Sequence, residues 1–212
     1  MTINAARTAV LALHLQRDIV APDGALAAVF YPEVERTGVI HAVGRVLDSA
    51  REVGAKVVYA RVSYQAGYSD LIANSPLTEM VRAHECMIDG TPGTEIVEKL
   101  TPLRTDLVLR QQRVSAFQST QLDLLLRSAA IDTLVLCGVA TNVSVESTAR
   151  AASDLGYRTI VVADACSAGS AAAHGAALES LSLLAEVTTV DGLLASWTAA
   201  EVEATGKDQA RV

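Results

Sequence analysis

The sequence predicts a doubly wound α/β domain, a mostly parallel sheet with helices on both faces. Three observations lead there. Apolar runs of strand length alternate with segments of helical spacing along most of the chain. The first run, TAVLALHL at 8–15, is apolar without polar alternation, as in a strand buried on both faces. The chain has 212 residues, 50% hydrophobic and 19% charged, which suits one well-buried core.

After the first strand comes a loop containing Pro and Gly. Residues 34–55 then place Val39, Ile40, Val43, Val46, Leu47 and Ala50 at helical spacing, with Gly54 as a stop. KVVYARVSY at 56–64 is the second strand, rich in Val and Tyr. Residues 65–105 are the least regular part, punctuated by Gly67, Pro76, Gly90, Pro92, Gly93 and Pro102. The rhythm then becomes regular: strand at 106–111, helix at 119–131, strand at 132–139 and helix at 142–156. A strand at 159–165, a helix at 171–185, a strand at 186–190 and a last helix at 191–202 complete it. One domain spans 1–212, with its core at about 7–200 and a polar tail at 201–212 expected to fray.

Composition excludes several partners. Net charge is −7 with no basic cluster, so nucleic acid is not expected. No apolar run reaches the ~18 residues of a membrane span, and the N-terminus lacks a signal-peptide pattern. Cys86, Cys137 and Cys166 lie far apart without metal-ligand spacing, so neither a disulfide framework nor structural zinc is expected. The expectation is a cytoplasmic protein with a small-molecule ligand and no cofactor.

In an open parallel sheet, ligands bind beyond the carboxyl ends of the strands. Three strands deliver polar residues there: His14 after the first, Gln111 after the run at 106–110, and Ser144 in the turn GVATNVS. A histidine inside LALHL is either a buried neutral imidazole bonded to backbone or an acid/base near neutral pH. Ser144 opens a helix, where unpaired N–H groups and the helix dipole favour an oxyanion, although Thr141 and Asn142 fit the same place simply as helix caps. Gln111 cannot take a proton but can orient an imidazole, and it is otherwise a surface residue.

At these residues the chain resembles the isochorismatase-like (cysteine hydrolase) superfamily, nearest the branch that hydrolyses carbamoyl and amide bonds. The likeness runs over roughly 8–195 and is most specific at 131–166, with support from QQRVSAF (111–117), RTAVLALHLQRD (7–18) and GTPGTEI (90–96). The resemblance implies a six-stranded parallel core, commonly a homo-oligomer, and an Asp–Lys–Cys triad. The three triad positions match His14, Gln111 and Ser144, so each is substituted. The three lysines, Lys56, Lys99 and Lys207, lie elsewhere, and no cysteine takes the place of the nucleophile. The resemblance further implies a cis peptide at Val139–Ala140 and an oxyanion hole from the Ala140 and Ser144 amides. The metal site of the nicotinamidase branch has no counterpart after KVVYARVSY, and no metal is expected.

Three functions fit these substitutions. In the first, Ser144 is the nucleophile, His14 its base and Gln111 the orienting group, acting on a small amide, carbamoyl or ester substrate. In the second, His14 is an acid that cleaves a small molecule without a covalent intermediate. In the third, the site is retired and the chain is a binding or assembly protein. Asn142, Arg61, Tyr64 and Phe117 are the candidate substrate contacts, Arg61 for a carboxylate. Trp197 is expected to pack the last helix down, and His174 to be structural or interfacial.

Overall fold

A computed structural model describes residues 2–197. Its centre is a six-stranded sheet of β1 (Thr8–Leu13), β2 (Lys56–Val62), β3 (Leu107–Gln111), β4 (Thr133–Val139), β5 (Arg158–Ser167) and β6 (Glu186–Thr188). Their order is β3-β2-β1-β4-β5-β6, and every pairing is parallel. The helices are α1 (Arg17–Val20), α2 (Ala27–Thr37), α3 (Val39–Glu52), α4 (Pro76–Ala83), α5 (Leu122–Ser128), α6 (Glu146–Asp154) and α7 (Ala171–Leu181). Residues 190–197 are again helical, and the expected end of the last helix and the tail at 201–212 lie outside the described residues.

Period-two alternation divides the buried strands between two cores. Val10, Ala12, Val57, Tyr59, Val135 and Val162 face one side, where α3 contributes Val43, Val46 and Leu47 and the closing helix contributes Leu193 and Trp197. Ala9, Leu11, Leu13, Val58, Leu134 and Leu136 face the other, against Leu122 and Leu126 of α5 and Ala149 and Ala152 of α6. Both faces of β1 are therefore covered, and all six of its residues are buried.

The structure departs from expectation between residues 16 and 33, where α1 and the first turns of α2 replace most of the loop, and the helix expected over 34–55 is divided at Gly38, in the left-handed region with φ +65°. Pro22, Gly24 and Pro32 suggest a break, yet Pro32 lies inside α2. Buried Leu26 and Val34 tie this segment to the core, so packing outweighs local propensity. The first strand also stops two residues earlier than expected, at Leu13. His14 lies outside it with φ +54°, in the left-handed region.

The strand order reverses between β1 and β4: the chain winds outward from β1 through β2 to β3, and from β4 through β5 to β6. A crevice opens at such a switch point, beyond the carboxyl ends of the two central strands. His14 follows β1 and Ser144 follows β4, so both stand at that crevice.

Candidate active site

Three backbone features aim the site. The His14 amide donates to the Ala60 carbonyl at 3.0 Å, holding the chain against the end of β2 as it turns out of β1. Gln16, fully buried, clamps the next step: its amide nitrogen donates to the Val62 and Thr94 carbonyls at 2.8 and 3.2 Å, and its oxygen accepts from the Val62 N–H at 2.8 Å. In β4, Gly138 has φ +122°, and a Cβ there would lie 2.2 Å from the Leu13 carbonyl oxygen. Only glycine allows β4 to pass this close to β1.

Beyond Gly138, the Val139–Ala140 peptide is cis. Residues Thr141–Val145 then form one π-helical turn that runs directly into α6. Such wide turns recur at functional sites. The capping reading of Thr141 and Asn142 is not what the structure shows, since no side chain caps this turn or α6. Thr141 is buried and meets His174 Nδ1 at 2.8 Å, so α7 braces the turn, whereas Asn142 is exposed.

His14, Gln111 and Ser144 are all buried and in series. Ser144 Oγ is 3.0 Å from His14 Nδ1, and Gln111 Nε2 is 2.7 Å from His14 Nε2. Gln111 Nε2 also donates to the Arg113 carbonyl at 2.8 Å. An amide nitrogen has two protons, so the second is directed at His14 Nε2, which accepts it. A neutral ring then carries its own proton on Nδ1, facing Ser144 Oγ. Gln111 Oε1 is buried without a hydrogen-bond partner among the described residues.

Burial lowers the His14 pKa to about 4, with the Gln111 hydrogen bond opposing the shift. The ring is therefore neutral at physiological pH. Thiol chemistry has no support here. Cys137 and Cys166 are buried strand residues, and desolvation raises Cys137 well above its usual range and Cys166 to about 12. Lys56 starts β2 at the opposite end of the sheet, and neither it nor Lys99 reaches the site.

A cavity of about 80 Å³ opens beside His14 and Ser144. Its walls are mostly apolar, with Ile19, Leu26, Phe30, Val62, Val81 and Met87 prominent. Ala140 and Val143 flank Ser144 there, and Tyr64 also lines it, its hydroxyl donating to the Gln112 carbonyl at 3.1 Å.

Three candidate contacts lie elsewhere. Arg61 is held by Asp89 at 3.0 Å and Glu95 at 3.8 Å, so its charge is neutralised outside the cavity. Phe117 packs against Tyr157, ring centroids 5.7 Å apart, within the second core. Asn142 is exposed and does not line the cavity. Sequence reasoning missed Arg113, which does line the cavity. Its signal was its place two residues after Gln111, just beyond the end of the same strand.

Among the described residues, no three His, Cys, Asp or Glu side chains are grouped to hold a metal ion. None of their helices is long and apolar enough to cross a membrane.

Residues 8–192 match the isochorismatase domain family. The chain is 32% identical over 170 residues to the ureidoacrylate amidohydrolase RutB of Caulobacter vibrioides, covering 74% of this chain and 76% of that one. Its fold is similar to a cysteine hydrolase from Pseudomonas syringae, with TM-score 0.86, 27% identity and 94% and 96% of the two chains covered. It is also similar to the N-carbamoylsarcosine amidase of Thermoplasma acidophilum, with TM-score 0.70, 27% identity and 87% and 97% coverage.

Proposed function

The chain belongs to the isochorismatase family, and on that basis we propose that it hydrolyses a small amide, carbamoyl or ester substrate through Ser144. His14 is the base, and Gln111 sets the ring. The carrying observation is the unbroken series Ser144 Oγ–His14 Nδ1–Nε2–Gln111 at the wall of a cavity at the switch point. An amidohydrolase and an amidase among the similar proteins support the bond type.

In the first half-reaction Ser144 Oγ bonds to the substrate carbonyl carbon while its proton passes to His14 Nδ1. The carbonyl π electrons move to oxygen, and the Ala140 and Ser144 amides are the donors for that oxyanion. Collapse breaks the bond to the leaving group, which takes the proton from His14. Water then repeats the sequence: its proton goes to His14, its oxygen bonds to the acyl carbon, and Ser144 leaves with the proton.

This route requires Nδ1 to be unprotonated, so Nε2 must carry the proton. Gln111 must then present Oε1 to Nε2–H, half a turn of its amide from the resting orientation. The half-turn brings Oε1 towards the Arg113 carbonyl in place of the present hydrogen bond. The resting state is therefore the less reactive tautomer, and turning the amide arms Ser144.

That tautomer favours a second reading, in which His14 donates to Ser144 and the Ser144 hydroxyl donates to a ligand without forming a bond. Kinetics separate the two. For a nucleophile, Ser144→Ala and His14→Ala each lower kcat/KM at least 10³-fold on 4-nitrophenyl esters and carbamates, and the double variant loses little more. A loss under tenfold in Ser144→Ala contradicts nucleophilic catalysis.

A further inference from the structure

The cavity wall contains one charged side chain among the described residues, Arg113, and no carboxylate. Every other described arginine except Arg104 is ion-paired, from Arg7 with Asp132 to Arg158 with Glu186. Arg104 is exposed and solvated, whereas Arg113 is half-buried. A guanidinium in an apolar wall loses hydration with no counter-charge to offset it, unless a ligand brings one.

The other polar groups lining the cavity are already engaged. Ser75 and Thr78 hydrogen-bond each other at the start of α4, Tyr64 bonds the Gln112 carbonyl, and the Gln112 amide bonds Asp70. Arg113 and the Ser144 hydroxyl remain to meet a ligand, since both ring nitrogens of His14 are engaged by Ser144 and Gln111. They are coupled, because the Gln111 amide that touches His14 also fixes the Arg113 carbonyl.

We infer that Arg113 is an anion subsite, and that the substrate is a small molecule bearing a carboxylate on the side of its scissile carbonyl facing Arg113. The carbonyl chemistry rests on the hydrolase reading above; the anion subsite stands on the cavity alone. A chain of net charge −7 repels anions in general, so the discrimination must come from this one local cation.

The probes are N-carbamoylglycine and its neutral amide, N-carbamoylglycinamide, titrated calorimetrically into Ser144→Ala so that turnover does not intervene. The acid is expected to bind at least tenfold more tightly than the amide. In Ser144→Ala/Arg113→Gln the two bind within twofold of each other, and Arg113→Lys keeps most of the preference. Raising NaCl in Ser144→Ala alone shrinks the preference, a readout that leaves Arg113 in place. Equal binding of acid and amide, binding of neither, or a preference that survives Arg113→Gln overturns the inference. Acylation of the wild type by 4-nitrophenyl acetate, read by intact mass, reports the hydrolase reading separately. Charge preference without acylation overturns that reading alone, and acylation without preference overturns the anion subsite alone.

Discussion

The His14 imidazole has to remain a base inside an apolar wall, and that sets its pH behaviour. Its folded pKa of about 4 lies below the ordinary 6.5, so the unfolded chain takes up the proton first as pH falls. The His14 contribution to stability is whole above pH 6.5 and is lost as pH falls to about 4. The loss is roughly 3 kcal/mol. Urea unfolding at pH 7 and pH 4 should show it in the wild type and not in His14→Gln. The acid limb of kcat/KM is likewise expected near 4. In Gln111→Glu a carboxylate accepts the Nε2 proton, leaves Nδ1 as the base and moves that limb up by at least one unit. An unmoved limb would mean that the ring is not the base. The odd imidazole in LALHL made this residue legible in the sequence. Its left-handed backbone is held by the distant Ala60 carbonyl and the direction of the Gln111 amide by the path of the chain after β3, and neither was legible.

At the scale of elements, the site is a strand–turn–helix unit whose path depends on close approach of β4 to β1. Gly138→Ala puts a methyl 2.2 Å from the Leu13 carbonyl oxygen in a backbone conformation that side chains avoid. A destabilisation of roughly 3 kcal/mol is expected, with most of the activity lost as Ser144 shifts. Gly175 in α7 has open space around its Cβ position, and Gly175→Ala is expected to stabilise by about 0.5–1 kcal/mol. Equal effects of the two substitutions in chemical denaturation would contradict this account of the crossing. Strands β1, β2 and β4 were readable because burial on both faces leaves continuous apolar runs. Helix α1 and the first turns of α2 were not, since prolines and a glycine interrupt a segment held by Leu26 and Val34 packing on the core. The π-helical turn at Thr141–Val145 had no separate signature, because its residues also suit an ordinary helix start.

Across the whole molecule, one sheet separates two apolar layers that share no side chains. Leu47 belongs to one and Leu126 to the other. Each change to Ala should cost about 2–5 kcal/mol. The double variant should match their sum within about 0.5 kcal/mol, and coupling well above that would mean the sheet transmits strain between the layers. This architecture followed from alternation and apolar runs because both are local properties of the chain. The charge layout did not follow, because ion pairs are made between distant segments. Arg61 lies near the end of β2 and Arg113 just beyond β3, but only folding brings Asp89 to Arg61 and leaves Arg113 facing the cavity. The proposed hydrolysis nevertheless depends on Ser144. Intact-mass spectrometry after incubation with a 4-nitrophenyl carbamate tests it most directly, on the wild type beside Ser144→Ala. One carbamoyl group per wild-type chain and none on the variant is the expected result; an unlabelled wild type, or equal labelling of both, would contradict a serine nucleophile.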